Sequence, residues 1–175
     1  AMARAGLDVA LLERGNFPGE KNMFGGLLHR LASLEEYIPD FWLKAPVERH
    51  VNKKSLTVMT ADSTVNLQLE SGSFDRTPYN GYTVMRPRFD NWLAQQAVDA
   101  GATLITRAMV DDVIIDKGQI KGVTVLGRTG RLLAPIVIAA DGALSFTAAK
   151  AGLKPAVFTP GQMALGVKAL FDLPR

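Results

Sequence analysis

The sequence contains no cysteine. That excludes disulfides, a thiol nucleophile and a cysteine-ligated iron–sulfur cluster within these residues, and it fits a reducing compartment. No apolar run approaches the roughly 18–20 residues of a membrane-spanning helix. The apolar start is interrupted by Arg4 and Asp8, and no signal-peptide cleavage pattern follows it. Aromatic residues are 7% of the chain, and its basic and acidic residues are interspersed around a net charge of +3. Nucleic acid is therefore not expected as a partner. His29 and His50 each stand without a second histidine, a cysteine or a paired acid at ligand spacing, so no metal site is read. Ser145 lacks a Gly-x-Ser-x-Gly setting and a plausible histidine partner, which argues against a hydrolase.

What is present suits an ordinary soluble domain. The 175 residues, 47% hydrophobic and 21% charged, suffice for one domain with a real core, or one and a fraction. The organising stretch is Asp8-Val9-Ala10-Leu11-Leu12-Glu13-Arg14-Gly15. An unbroken apolar run ending on an acid is how a strand buried on both faces of a parallel sheet reads. In dinucleotide-binding folds such an acid takes ribose hydroxyls, and a glycine-rich phosphate turn lies about 20 residues before it. That count passes the first residue here. The chain is thus expected to start inside the first crossover helix of a larger protein. The six residues AMARAG are read as the end of that helix, with Gly6 as its left-handed stop.

The remaining pattern alternates between two kinds of strand. Residues 16–26 read as a loop, and Leu27, Leu28, Leu31, Leu34 and Ile38 predict a helix over 27–37. Residues 47–59 and 64–69 predict antiparallel strands joined by Ala61-Asp62-Ser63, and 82–85 another strand. Arg86-Pro87-Arg88-Phe89-Asp90 opens an amphipathic helix to about Ala100, with Phe89, Leu93, Ala97 and Trp92 as its core face. Strands over 103–106, 108–116, 119–126 and 131–133 follow, the last three as a meander. A second buried strand over 136–140 ends at Asp141-Gly142, then come a helix over 145–151 and a final strand over 162–171. The fold class expected is α/β, an α+β mixture: a partial Rossmann-like domain with a parallel sheet and β-meander, plus part of an antiparallel-sheet domain. The division is 1–46 with 86–158 for the first, and 47–85 with 159–175 for the second.

Four features could carry chemistry. Glu13 either accepts two vicinal ribose hydroxyls or simply ends a strand in solvent. Asp141-Gly142 is either a second acid at the same crevice or an ordinary turn. Arg86 and Arg88 oppose the dipole of the helix they start, so they either bind an anion or are a solvated pair offset by Asp90. The stretch Gly19 to Gly26 either covers a ligand or is a polar loop.

Together these motifs form a pattern. The segments AMARAGLDVALLERG, PGEKNMFGG, RPRFDNWLAQQAVDAGA, TRAMVDDVI and VIAADGALS, in this order, resemble FixC-type flavoproteins. These are relatives of electron transfer flavoprotein–quinone oxidoreductase, of geranylgeranyl reductases and of hydroxybenzoate hydroxylase-type monooxygenases. The resemblance implies FAD as cofactor. Glu13 would bind its adenosine ribose and Arg14 would line the same site. Arg88 would reach the pyrophosphate region, Val110 would meet the adenine edge through its backbone, and Asp141 and Gly142 would lie near the pyrophosphate. Lys21, Asn22, Gly25 and Gly26 would lie towards the flavin ring and the substrate or quinone. No catalytic side chain is implied.

The implied activity is electron passage through the flavin. The implied partners are electron transfer flavoprotein and a ferredoxin-like protein or quinone. The implied setting is cytoplasmic, peripheral at the inner face of the membrane. The alternatives are a reductase or monooxygenase of a small organic or prenyl substrate, and an inactive truncated fragment. The glycine-rich fingerprint and the later Gly-Asp motif of such enzymes are absent. Taken alone, the chain is therefore expected to bind FAD weakly or not at all.

Overall fold

A computed structural model describes the chain except for residues 23, 24, 30, 31, 128, 155, 156, 160, 163–165, 168, 170 and 173–175, and except for the side chains at 32 and 33. The order of elements is β1 (Ala10–Leu12), β2 (Gly25–His29), α1 (Ala32–Tyr37), β3 (Val47–His50), β4 (Lys53–Met59), β5 (Thr64–Glu70), β6 (Gly81–Met85), α2 (Arg86–Asp99), β7 (Thr103–Ile105), β8 (Val110–Asp116), β9 (Gln119–Val125), β10 (Arg131–Leu133) and α3 (Phe146–Lys150). The fold is mixed α/β, with one parallel pair and three antiparallel assemblies among the described residues. Contacts divide it into two units, residues 1–9, 18–102 and 170–175 on one side and residues 10–17 and 103–169 on the other.

In the second unit β1 and β7 pair in parallel, Ala10 opposite Thr103 and Leu12 opposite Ile105. The pairing continues past the strands: Glu13 N–H donates to Ile105, Ala108 N–H to the Glu13 carbonyl, and Arg107 N–H to the Gly15 carbonyl. Two expectations change here. Burial on both faces needs cover on both, yet Ala10 and Leu11 are exposed and Leu12 only half-buried. The apolar run 136–140 forms no strand, and Ile136 and Ile138 are 76% and 63% exposed. A strand needs a neighbour to satisfy its backbone groups, and none pairs with this run among the described residues.

The meander is as expected. β8, β9 and β10 form an antiparallel sheet with β9 central. Ile114, Val123 and Val125 are its buried hydrophobic residues. Gly122 is required in it: its φ is +152°, and a Cβ there would come 2.0 Å from the Leu132 carbonyl oxygen. Lys150 of α3 lies 3.5 Å from Asp112 of β8.

The larger unit is built on the sheet β2-β6-β3, antiparallel throughout. Phe41, Tyr82, Val84 and Phe89 form its buried cluster, and Leu28, Leu34, Ile38, Trp42 and Trp92 pack around it. Gly25–His29 is therefore a strand, not the start of a helix. Its five residues pair with Gly81–Met85, and its inward positions alternate, so cross-strand pairing outweighs the helical propensity of the leucines. The expected helix shrinks to α1, with Leu31 outside the described residues.

The single strand expected over 47–59 is two. β3 joins the sheet, whereas β4 turns into an exposed hairpin with β5, closed where Thr60 N–H donates to the Ser63 carbonyl. In α2 the buried residues are Phe89 and Ala94, while Leu93 is 37% exposed. Half of the final strand expected over 162–171 falls outside the described residues, and those described there form none.

Phe41, 1% exposed, meets Trp42 and Tyr82 edge-on at ring distances of 5.5 and 5.6 Å. Phe41→Ala should lower unfolding stability in urea by about 3–5 kcal/mol, and Leu93→Ala by well under half of that. Equal losses would place the core elsewhere.

Candidate functional site

Within the second unit, Glu13 follows the carboxyl end of a parallel strand, where ligands bind in open α/β sheets. Its half-buried carboxylate accepts a hydrogen bond from Gly15 N–H at 2.5 Å, which folds the strand exit back on itself. The three backbone bonds to residues 105–108 hold the same exit. A carboxylate fixed at this position fits a ribose, which offers two hydroxyl donors. Arg14 is the next residue of this anchored turn. Val110 begins β8 opposite Val125, and the register shifts between it and Asp112, so its backbone departs from a regular ladder. Arg107, which the motifs did not single out, sits exposed beside this exit at φ +51°, held by its bond to Gly15.

Asp141 is engaged locally. One carboxylate oxygen accepts from the Ser145 hydroxyl and the other from Thr147 N–H at 3.0 Å. Ser145 in turn caps α3 by accepting from Ala148 N–H at 3.1 Å. Burial alone would push the Asp141 carboxyl up, but these hydrogen bonds outweigh it and hold the group below its ordinary value. The contribution of this cap is therefore present above the ordinary carboxylate range and is lost as pH falls through the lowered value. Gly142 takes φ +83° with open space around it. Asp141-Gly142 is thus a helix-capping turn, and the strand expected to lead into it is not formed.

Within the larger unit, Asp90 is a hub. Arg86 donates to it through two nitrogens, at 2.8 and 2.9 Å, and Asn22 donates to it at 2.7 Å. This hydrogen bonding raises the Arg86 pKa against the opposing effect of burial. Arg86 and Arg88 do not act as a pair. Arg88 has a 72% exposed side chain and its charge neighbour is Glu48 at 3.6 Å. Lys21 lies 3.5 Å from Glu20 on the surface. Gly25 and Gly26 open β2, and a Cβ on Gly25 would come 3.2 Å from the Val84 carbonyl oxygen. The structure thus joins Asn22 to the start of α2, while Lys21 and Arg88 have other neighbours. The Arg86–Asp90 spacing of four was a legible signal for the hub. The aromatic cluster of Trp42, Tyr79 and Tyr82 was not legible, because the strand pairing that assembles it is long-range. Among the described residues no cluster could hold a metal ion and no helix is long and apolar enough to cross a membrane.

Protein FixC of Escherichia coli K12 is 40% identical over 174 residues, which are 99% of this chain and 40% of FixC. The FixC-type resemblance read from the motifs is borne out. FixC of Azotobacter vinelandii is 38% identical over the same share of each chain. The "Probable electron transfer flavoprotein-quinone oxidoreductase YdiS" of E. coli K12 is 40% identical over 98% of this chain and 39% of its own. The chain spans about two fifths of the length of these curated relatives. A solved geranylgeranyl bacteriochlorophyll reductase-like protein of Thermoplasma acidophilum shares the fold with a TM-score of 0.72 at 25% identity, over 90% of this chain and 39% of that one. The structure of FqzB, with a TM-score of 0.63 at 21% identity over 85% of this chain and 34% of its own, shares the fold alone. No protein-family model matches the chain.

The Asp90 hub leaves no room beside Gly19. That residue has φ +89°, and a Cβ there would lie 2.9 Å from Asp90 Cβ and 3.0 Å from Pro87 Cα. Gly19→Ala should destabilise by roughly 2 kcal/mol or more, against about 1 kcal/mol for Gly6→Ala, which meets only backbone strain. Matched urea midpoints for the two variants would show that loop 18–22 is not docked on α2.

Proposed function

We propose that this chain is part of an FAD-dependent oxidoreductase that passes electrons through the flavin, in a system like that of FixC and electron transfer flavoprotein–quinone oxidoreductase. The observation that carries this reading is the similarity to FixC and YdiS along nearly the whole chain, with an acid at the carboxyl end of its parallel strand. FAD, when bound, supplies the redox chemistry, and the protein positions and shields it.

Glu13 would hold the adenosine ribose, with Arg14 and the Val110 backbone beside it. Arg88 would serve the pyrophosphate side. Asn22, Lys21, Gly25 and Gly26 would serve the substrate side. Gly142 would supply close backbone, while Asp141 acts through the turn that it caps rather than by direct contact. In this reading residues 1–46 and 86–158 serve the cofactor and 47–85 and 159–175 the substrate. Electron transfer flavoprotein and a ferredoxin-like protein or quinone are the proposed partners, at a cytoplasmic site peripheral to the inner membrane face.

A second reading keeps the fold and changes the acceptor: a reductase or monooxygenase of a small organic or prenyl substrate. The likeness to the T. acidophilum reductase-like protein favours it. NAD(P)H oxidation without a flavoprotein donor would separate it from the first.

Adenosine monophosphate, titrated into the chain and followed by amide chemical shifts, tests the shared part of both readings. The expected result is a saturable shift at Glu13, Arg14 and Val110, with affinity about tenfold lower or worse in Glu13→Gln. Shifts confined to other residues, or a Glu13→Gln variant that binds equally well, would overturn the ribose assignment.

A further inference from the structure

Along the β3 edge of the three-stranded sheet lies an open cavity of about 500 Å³, lined by Trp42, Tyr79 and Tyr82 and by Glu48, Arg49 and His50. Its volume suits a molecule of one or two rings. The walls are flat. The Trp42 ring lies 6.3 Å from that of Tyr82 and 13° from parallel to it, and His50 stacks on Tyr79 at 4.4 Å. Trp42 and Tyr79 are half-buried, so each keeps ring surface open. Tyr82 is 3% exposed with its hydroxyl buried, so it backs the cavity and offers it no polar group.

The polar content comes from β3. Its register against β6 shifts between Val47 and Arg49. An irregularity of this kind re-aims a side chain, and such bulges recur beside binding sites. The Thr83 hydroxyl fixes the result: it accepts from Arg49 N–H at 3.2 Å and donates to the Arg49 carbonyl at 3.3 Å. The Arg49 backbone is thus held from both sides while the residue stays exposed on the cavity wall. The other charged groups of the lining are engaged, Glu48 with Arg88 at 3.6 Å and His50 with Asp75 at 3.0 Å. The Arg49 side chain has no ion pair or hydrogen bond among the described residues. Its guanidinium is a planar fork that matches the two oxygens of a carboxylate. One unpaired cation, with the Glu48 and Asp75 carboxylates close by, suits a single negative charge better than the roughly two charges of a phosphate.

We propose that this cavity binds a planar aromatic monocarboxylate, its ring against Trp42 and Tyr79 and its carboxylate on the Arg49 guanidinium. The proposal does not rest on the cofactor reading, since every group in it belongs to the larger unit and no nucleotide is involved, so either can fail without the other.

Three probes test it. They are 2-naphthoate, 2-naphthamide (the same flat rings without the charge) and decahydro-2-naphthoate (the same charge on puckered rings). Each is titrated into the full chain at neutral pH and followed by the indole N–H signal of Trp42, with that of Trp92, outside the lining, as an internal control. The expected result is saturable movement of Trp42, with 2-naphthoate binding roughly three- to tenfold more tightly than either of the other two. Arg49→Gln should bring 2-naphthoate and 2-naphthamide within about twofold of each other. Equal affinities of these two in the unmodified chain, a preference that survives Arg49→Gln, equal binding of the puckered acid, or absence of saturation with all three would each overturn the proposal. Should Arg49→Gln not fold, the ratios in the unmodified chain decide: equal binding overturns the site and a preference for 2-naphthoate over both others supports it.

Discussion

Three backbone hydrogen bonds beyond the end of β1 hold the turn that carries Glu13. Glu13 donates to Ile105, and its own carbonyl and that of Gly15 accept from Ala108 and Arg107. A strand of three residues contributes little by itself, and its exit would fray in water. Tied to the segment after β7, the exit becomes a fixed turn, with Ala108 buried under it. The Gly15 N–H then draws the Glu13 carboxylate inwards. The position of that acid thus follows from backbone pairing first and from its own side chain second.

The larger unit rests on a different constraint. Its sheet is short, and the aromatic cluster around Phe41 fills the space between the sheet and α2. Aromatic edges and faces meet in orientations their quadrupoles favour. The same packing leaves Tyr82 with a buried hydroxyl and no acceptor.

Short-range features were legible in the sequence. Gly6 takes φ +81° to end the first turn, as its position after Ala-Arg-Ala implies. The meander over 110–133 and the helix opened by Arg86-Pro87 depend on neighbours within a few residues, and they form as read. What failed depended on distant partners. Leu27 and Leu28 have helical spacing with Leu31 and Leu34, yet they pair with Thr83 and Tyr82, more than 50 positions away. Burial of the 136–140 run was inferred from its composition, but no strand pairs with it among the described residues. For the same reason the place of Glu13 at the end of a strand could be read from the apolar run before it, whereas the engagement of Asp141 with Ser145 and Thr147 could not. A carboxylate before Gly reads alike whether it faces a ligand or caps a helix.

The central claim is that the exit of β1 is a preorganised site for the ribose end of a nucleotide. Amide hydrogen exchange of the chain, with and without adenosine diphosphate, tests it most directly. The account predicts slow exchange at Glu13, Arg107 and Ala108 in the free chain, and further slowing there when the nucleotide is added. Rapid exchange at these three amides in the free chain, or protection by the nucleotide confined to residues 86–99, would contradict it.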